Sequence, residues 1–124
     1  MKINSATIEK ACDALIKANI VNKDGEYQDV FKGYISSFGA SIAQAGLLPT
    51  VIFYENKSDS AQDRTKLIDA LVEMLPQNMK PTDERLAKYI INNNKADDRI
   101  YVKTVTDAMV ALKLALRMYS EKRR

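Results

Sequence analysis

Near the start of the chain the apolar residues Ile8, Ala11, Cys12, Leu15 and Ala18 recur at three- and four-residue steps. That spacing predicts a helix over residues 5–21 with one buried stripe. Asn22-Lys23-Asp24-Gly25 breaks it with turn chemistry. A second helix is predicted over residues 27–45, with Phe31, Tyr34 or Ile35, Phe38, Ile42 and Ala45 on one face. Its two glycines, Gly33 and Gly39, each cost about 1 kcal/mol relative to alanine in a helix, which suggests a close packing partner there. Gly46 suits a left-handed C-cap, and Pro49 suits the first turn of a new helix. Residues 47–57 stay ambiguous on propensity, since Thr50-Val51-Ile52-Phe53-Tyr54 also reads as a buried strand.

Further on, Ser60 is placed to cap a helix whose apolar face is Leu67, Ile68, Leu71, Val72 and Leu75, ended by Pro76. Thr82, with Asp83 and Glu84 in the first turn, is expected to open a short helix that points Leu86, Tyr89 and Ile90 inward, and Asn92-Asn93-Asn94 stops it. The final segment, residues 97–121, is the most regular. Val102, Val105, Met109, Leu112, Leu116 and Tyr119 form a heptad-like seam, whose continuity outweighs a strand reading of residues 99–105. A second row, Lys103, Thr106, Val110, Lys113, Arg117, Ser120 and Arg124, follows the same steps on another face and contains no acid. The pattern predicts an all-α fold, one compact bundle of five to six helices spanning residues 1–124.

Composition narrows the function classes. The 124 residues include no histidine, which removes the commonest general acid/base and the commonest metal ligand. The lone Cys12 makes no internal disulfide and favours a reducing, cytoplasmic setting. Glu9, Lys10, Asp13 and Lys17 interrupt the first twenty residues, so no signal peptide is expected, and the longest nearly apolar run, residues 47–54, is too short for a membrane helix. The net charge of +3 is uneven: residues 1–116 carry 15 of the 19 cations and 15 of the 16 acids, leaving Arg117, Lys122, Arg123 and Arg124 against Glu121. The bland account of that basic end is a solvated helix terminus whose cations complement the dipole.

Chemical motifs are sparse. No glycine-rich phosphate loop is present, and the Asn22–Gly25 turn fails as a calcium loop because Ile20 and Phe31 would occupy positions that need carboxylates. Cys12 lies on a buried stripe with no histidine to activate it. The acid pairs Asp83-Glu84 and Asp97-Asp98 read as helix-start acids rather than as metal ligands or an acid/base pair. Among the aromatic residues, Phe31, Tyr34, Phe38, Phe53 and Tyr119 fall on apolar stripes and read as core, while Tyr27 and Tyr101 stay open as base-stacking groups. No metal, cofactor or catalytic set is expected. The basic row on the last helix is the feature with a functional shape, because cations one turn apart can follow a phosphate backbone.

Two stretches carry a resemblance to a known family. Ala45-Gly46-Leu47-Leu48-Pro49-Thr50-Val51-Ile52-Phe53-Tyr54-Glu55-Asn56-Lys57 resembles the central signature of the small subunit of type III-B CRISPR (Cmr) effector complexes, in which Gly-Leu leads to an aromatic pair and a lysine. The helix from Thr106-Asp107-Ala108-Met109 to Arg117 resembles that family's closing helix, with one departure: where the family has tryptophan, leucine, lysine and arginine, this chain has Leu114, Ala115, Leu116 and Arg117. Only the arginine is kept.

The resemblance implies a helical, non-catalytic subunit, stacked in several copies, whose basic face lines a channel holding guide and target RNA. It makes residues 47–57 a helix. Its partners would be the other subunits of a type III effector complex, further copies of itself, and the two RNAs. Lys57 and Arg117 are the contacts the resemblance supports, with Lys113, Arg124 and Lys103 added from the basic row. The alternatives are a type III-A small subunit, a helical protein–protein adaptor that never touches RNA, and a small helical enzyme using Asp or Glu.

Overall fold

The structure is a computed structural model that describes residues 1–57 and 63–122. Six helices follow one another among the described residues: α1 (Ser5–Lys17), α2 (Val30–Ala45), α3 (Leu47–Glu55), α4 (Thr65–Met74), α5 (Leu86–Asn92) and α6 (Arg99–Leu116). A short 3₁₀ turn spans Gln77–Met79, and two two-residue strands, β1 (Glu26–Tyr27) and β2 (Ser120–Glu121), pair in parallel. The all-α reading holds. α6 is the axis of the bundle, packed against α1, α2 and α4. It buries Tyr101, Val105, Ala108, Met109, Ala111, Leu112, Ala115 and Leu116, a stripe broadened by alanines that let the neighbouring helices approach.

Local chemistry explains most boundaries. Asn4 accepts a hydrogen bond from the Thr7 N–H at 3.0 Å and starts α1. α1 ends at Lys17, short of the predicted residue 21, because Asn19 turns left-handed (φ 62°) and the N–H groups of Ile20 and Val21 both reach back to the Leu15 carbonyl. Ile20 and Val21 are therefore buried by a wrap of chain and not by a longer helix. Asn22 Oδ1 then accepts from the N–H groups of Asp24 (2.9 Å) and Glu26 (3.0 Å), which closes the expected turn. Tyr27, predicted as the start of a helix, is instead a strand residue, and α2 begins at Val30.

Phe31, Ile35 and Phe38 form the buried face of α2, while Ala45 is exposed. Gly33 and Gly39 have no close neighbour: a Cβ at either would meet nothing within 4 Å, so the expected close packing is absent. Gly46 does need its freedom. Its φ of 95° with ψ 168° lies in a region open essentially to glycine, and it lets α3 start directly from the end of α2. α3 is a helix, as the family resemblance implied; the Thr50 hydroxyl donates to the Gly46 carbonyl at 2.8 Å and lies 2.7 Å from Ser41 Oγ. The Tyr54 hydroxyl donates to the Tyr34 carbonyl at 3.0 Å, tying α3 to α2.

The predicted apolar face of α4 holds, with Leu67, Ile68, Leu71 and Leu75 buried and Pro76 following. The cap assigned to Ser60 lies outside the described residues. Asp63 accepts from both the N–H (2.9 Å) and the hydroxyl (2.6 Å) of Thr65, and the Thr65 hydroxyl bond leads the effects that hold its carboxyl below the ordinary value.

The two remaining helices start differently. Asp98 caps α6 as expected, accepting from the N–H groups of Ile100 and Tyr101, both at 3.0 Å, while Lys95 stands 3.5 Å away. α5 does not begin at Thr82. Asp83 and Glu84 precede the helix, and Glu55 at the end of α3 caps it: the Leu86 N–H donates to Glu55 Oε2 at 2.8 Å and the Ala87 N–H to Oε1 at 3.1 Å. A charge from a distant helix has replaced the local cap. α6 ends at Leu116 and not at the predicted residue 121, because the Ser120 and Lys122 N–H groups donate to the Gly25 and Tyr27 carbonyls as β2 pairs with β1. No helix among the described residues is long and apolar enough to cross a membrane.

Candidate nucleic-acid interface

The predicted basic row divides into two electrostatic regions along α6. At its N-terminal end, Lys103 Nζ is 3.0 Å from Asp107 Oδ2, one turn on. The Met1 amine stands 3.4 Å from the same oxygen. Burial pushes the Asp107 carboxyl up, but the hydrogen bonds and charges of Lys103 and the Met1 amine together outweigh it and hold Asp107 below the ordinary value. Lys103 is thus paired within its own helix, sharing one carboxylate with the Met1 amine. The acid was invisible in the row itself because it sits on the adjacent face.

The C-terminal end is different. Lys113 and Arg117 are exposed and line a groove of about 310 Å³ together with Lys32 and Ser36 of α2. Tyr27, Ile35, Leu116 and Tyr119 complete it, and no acid is among the lining residues. Among the described residues neither Lys113, Arg117 nor Lys32 makes an ion pair. Lys32 was missed from the sequence. Its signal was a lone cation four residues before Ser36 on the polar face of α2, which gains meaning only when α2 packs beside the end of α6. Three cations from two helices therefore converge on one uncompensated surface.

The other expected contacts fall elsewhere. Lys57 is exposed just beyond α3, near enough for its charge to help lower Asp63, and is not part of the groove. Arg124 lies outside the described residues. Ser120 leaves the helical row when it enters β2.

The aromatic residues left open for base stacking are withdrawn from it. Tyr101 is 1% exposed, with its hydroxyl donating to the Met79 carbonyl at 3.0 Å, and burial drives its pKa strongly upward. Tyr27 is 8% exposed. The opposite correction applies to Phe53: read as core, it is 58% exposed, with the Arg64 guanidinium 4.4 Å from its ring centre. Cys12 is half-buried, its Sγ 4.0 Å from Met118 Sδ, and it packs at the edge of the core. No three His, Cys, Asp or Glu residues among those described gather as a metal site.

The model of the family described as CRISPR-associated protein (Cas_Cmr5) matches residues 7–120. The chain belongs to that family. The match runs from α1 into β2 and includes Lys32, Lys57, Lys103, Lys113 and Arg117. It makes the chain a small CRISPR-associated subunit of the type III-B Cmr system and sets aside the type III-A alternative. No curated protein and no solved structure matches the sequence. Membership of the Cmr5 family implies association with other subunits of the Cmr complex.

Proposed function

We propose that this Cmr5-family chain is a non-catalytic structural subunit that stacks in several copies within the Cmr complex and contacts the backbone of guide and target RNA through the α2/α6 groove. The observation that carries the reading is the convergence of Lys32, Lys113 and Arg117 on a groove with no lining carboxylate. Recognition is by backbone charge. Of the tyrosines that line the groove, Tyr27 is buried and Tyr119 is partly buried against the core, so the surface offers phosphates its cations rather than offering bases a stacking platform. Lys57, on a different element, would add a second contact along the RNA path, and Arg124 would extend it. The complex would work in the cytoplasm, on RNA, with residues 1–124 acting as one domain.

A tagged pull-down from the native cell, with and without ribonuclease, tests this. Recovery of Cmr subunits together with short RNAs sharing a repeat-derived end is the expected result. Recovery of Cmr subunits with no RNA would leave the adaptor alternative, in which the basic groove is a solvated face.

A further inference from the structure

A broad apolar surface is left open between α3 and α5. The sequence of α3 is apolar on more than one side, and packing uses only part of it: Leu47, Val51 and Tyr54 are buried, while Ile52 and Phe53 stay 51% and 58% exposed. On α5, Ile91 is 53% exposed although Leu86 and Ile90 enter the core. Leu48–Ile52 and Pro49–Phe53 are one-turn pairs on α3, and Ala87–Ile91 is the matching pair on α5. These six line a groove of about 780 Å³, a trough between two helical ridges, which is the shape into which the side-chain ridge of a third helix packs.

The charge around the trough selects what fills it. Arg85 and Lys88 stand among its lining residues, exposed, and among the described residues neither pairs with a carboxylate. Glu55 is the one lining acid, and both its oxygens are engaged by the Leu86 and Ala87 N–H groups at the positive end of α5. The Arg64 guanidinium over the Phe53 ring adds further positive charge.

We propose that the α3/α5 groove is a docking site for an amphipathic helix of another protein subunit, whose apolar stripe lies in the trough and whose flanking carboxylates face Arg85 and Lys88. RNA is poorly matched to it: the floor is mainly aliphatic, and the Arg64 guanidinium occupies one face of Phe53, the single aromatic ring among the lining residues. A second copy is poorly matched as well. The exposed apolar row of the chain's last helix and the turn after it, Val110, Leu114 and Met118, is flanked by Lys113 and Arg117, so self-docking would set cation against cation.

The test places the photo-crosslinker benzoylphenylalanine at Ile91, an exposed position, in a Cmr complex reconstituted from all its protein subunits with guide RNA. After irradiation the linked peptide is identified by mass spectrometry. The expected product joins position 91 to a helix of a different protein subunit with Asp or Glu beside its apolar stripe. Its yield should fall at least five-fold with Arg85→Glu plus Lys88→Glu and stay unchanged with Lys10→Glu plus Lys23→Glu, exposed lysines that line neither groove. A product with RNA or with a second copy, a linked helix without flanking acids, no product, or a yield indifferent to the Arg85 and Lys88 reversals would each overturn the proposal. None of these outcomes bears on RNA binding at the α2/α6 groove, which is carried by other elements.

Discussion

The two ends of α6 carry cations on the same helical row, yet they do different things. At the start of the helix Asp98 caps the N–H groups, Tyr101 is anchored through its hydroxyl to Met79, and Lys103 and the Met1 amine both pair with Asp107. Every polar group named there is engaged within the fold. At the other end Lys113 and Arg117 meet Lys32 across a groove without an acid. A row of like charges in a sequence is therefore not yet a surface; the carboxylates on neighbouring faces and the helices packed alongside decide which part of the row keeps its field. The first end should govern stability and the second RNA contact.

Substitutions can break this division. The largest effect is expected at Tyr101, the biggest fully buried side chain of the fold. Tyr101→Ala should cost about 4 kcal/mol in urea unfolding through the cavity and the missing hydroxyl bond, while the fraction that remains folded assembles with RNA as before. A loss below about 1 kcal/mol would mean that this end is not a structural anchor. Next in size, Lys113→Glu plus Arg117→Glu should weaken guide-dependent target binding by the assembled complex by about 100-fold at low salt. The melting temperature of the isolated chain should hardly move, because surface substitutions away from packed groups typically change stability by less than about 0.5 kcal/mol. An equal loss of stability and binding would erase the distinction between the ends.

Acid offers a milder probe. The Asp98 carboxyl is held below its ordinary 3.8, chiefly by the Tyr101 N–H, and Asp107 is also lowered from 3.8 by Lys103 and the Met1 amine against an opposing burial effect. A depressed folded value means that the stabilisation is present above pH 3.8 and is lost as pH falls through the lower folded values. Asp69 works the other way, since burial and the charges of Asp63 and Glu55 raise it. The difference in melting temperature between wild type and an Asp98→Asn plus Asp107→Asn variant, clear at about pH 6, should therefore shrink towards about pH 2.5. A constant difference would show that neither carboxylate contributes through its charge. The smallest effect belongs to Lys103. Lys103→Ala should change target binding by less than about two-fold, since Lys103 pairs with Asp107 away from the α2/α6 groove; a ten-fold loss would place it in the interface after all.

How much of this was legible in the sequence follows from how local each cause is. The stripes of α1, α2, α4 and α6 were readable because the 3.6-residue period reflects one buried face, and Asp98 was readable as a cap because its partners lie two and three residues away. The start of α5 was not, because its cap, Glu55, lies 31 residues before Leu86. The end of α6 was misplaced for a similar reason: the chain leaves the helix to pair with Glu26–Tyr27, a contact no local window contains. Phe53 was read as core because α3 is apolar on more than one side, and periodicity cannot say which side of such a helix is left open. Of the cations expected from the sequence, Lys113 and Arg117 lie together in the α2/α6 groove and Lys103 lies apart beside Asp107; Lys32 joins the groove only through the packing of α2 against α6.

The most direct test of the division is the salt dependence of target RNA binding by the reconstituted Cmr complex. It should be measured for wild type, for Lys113→Ala plus Arg117→Ala, and for Lys103→Ala. Removing one phosphate-bound cation from each copy should lower the slope of log affinity against log salt by about 0.7 to 0.9 for that copy. The double variant should therefore flatten the plot, while Lys103→Ala overlays wild type. Parallel plots for wild type and the double variant, or a flattening by Lys103→Ala alone, would contradict the assignment of RNA contact to the open end of α6.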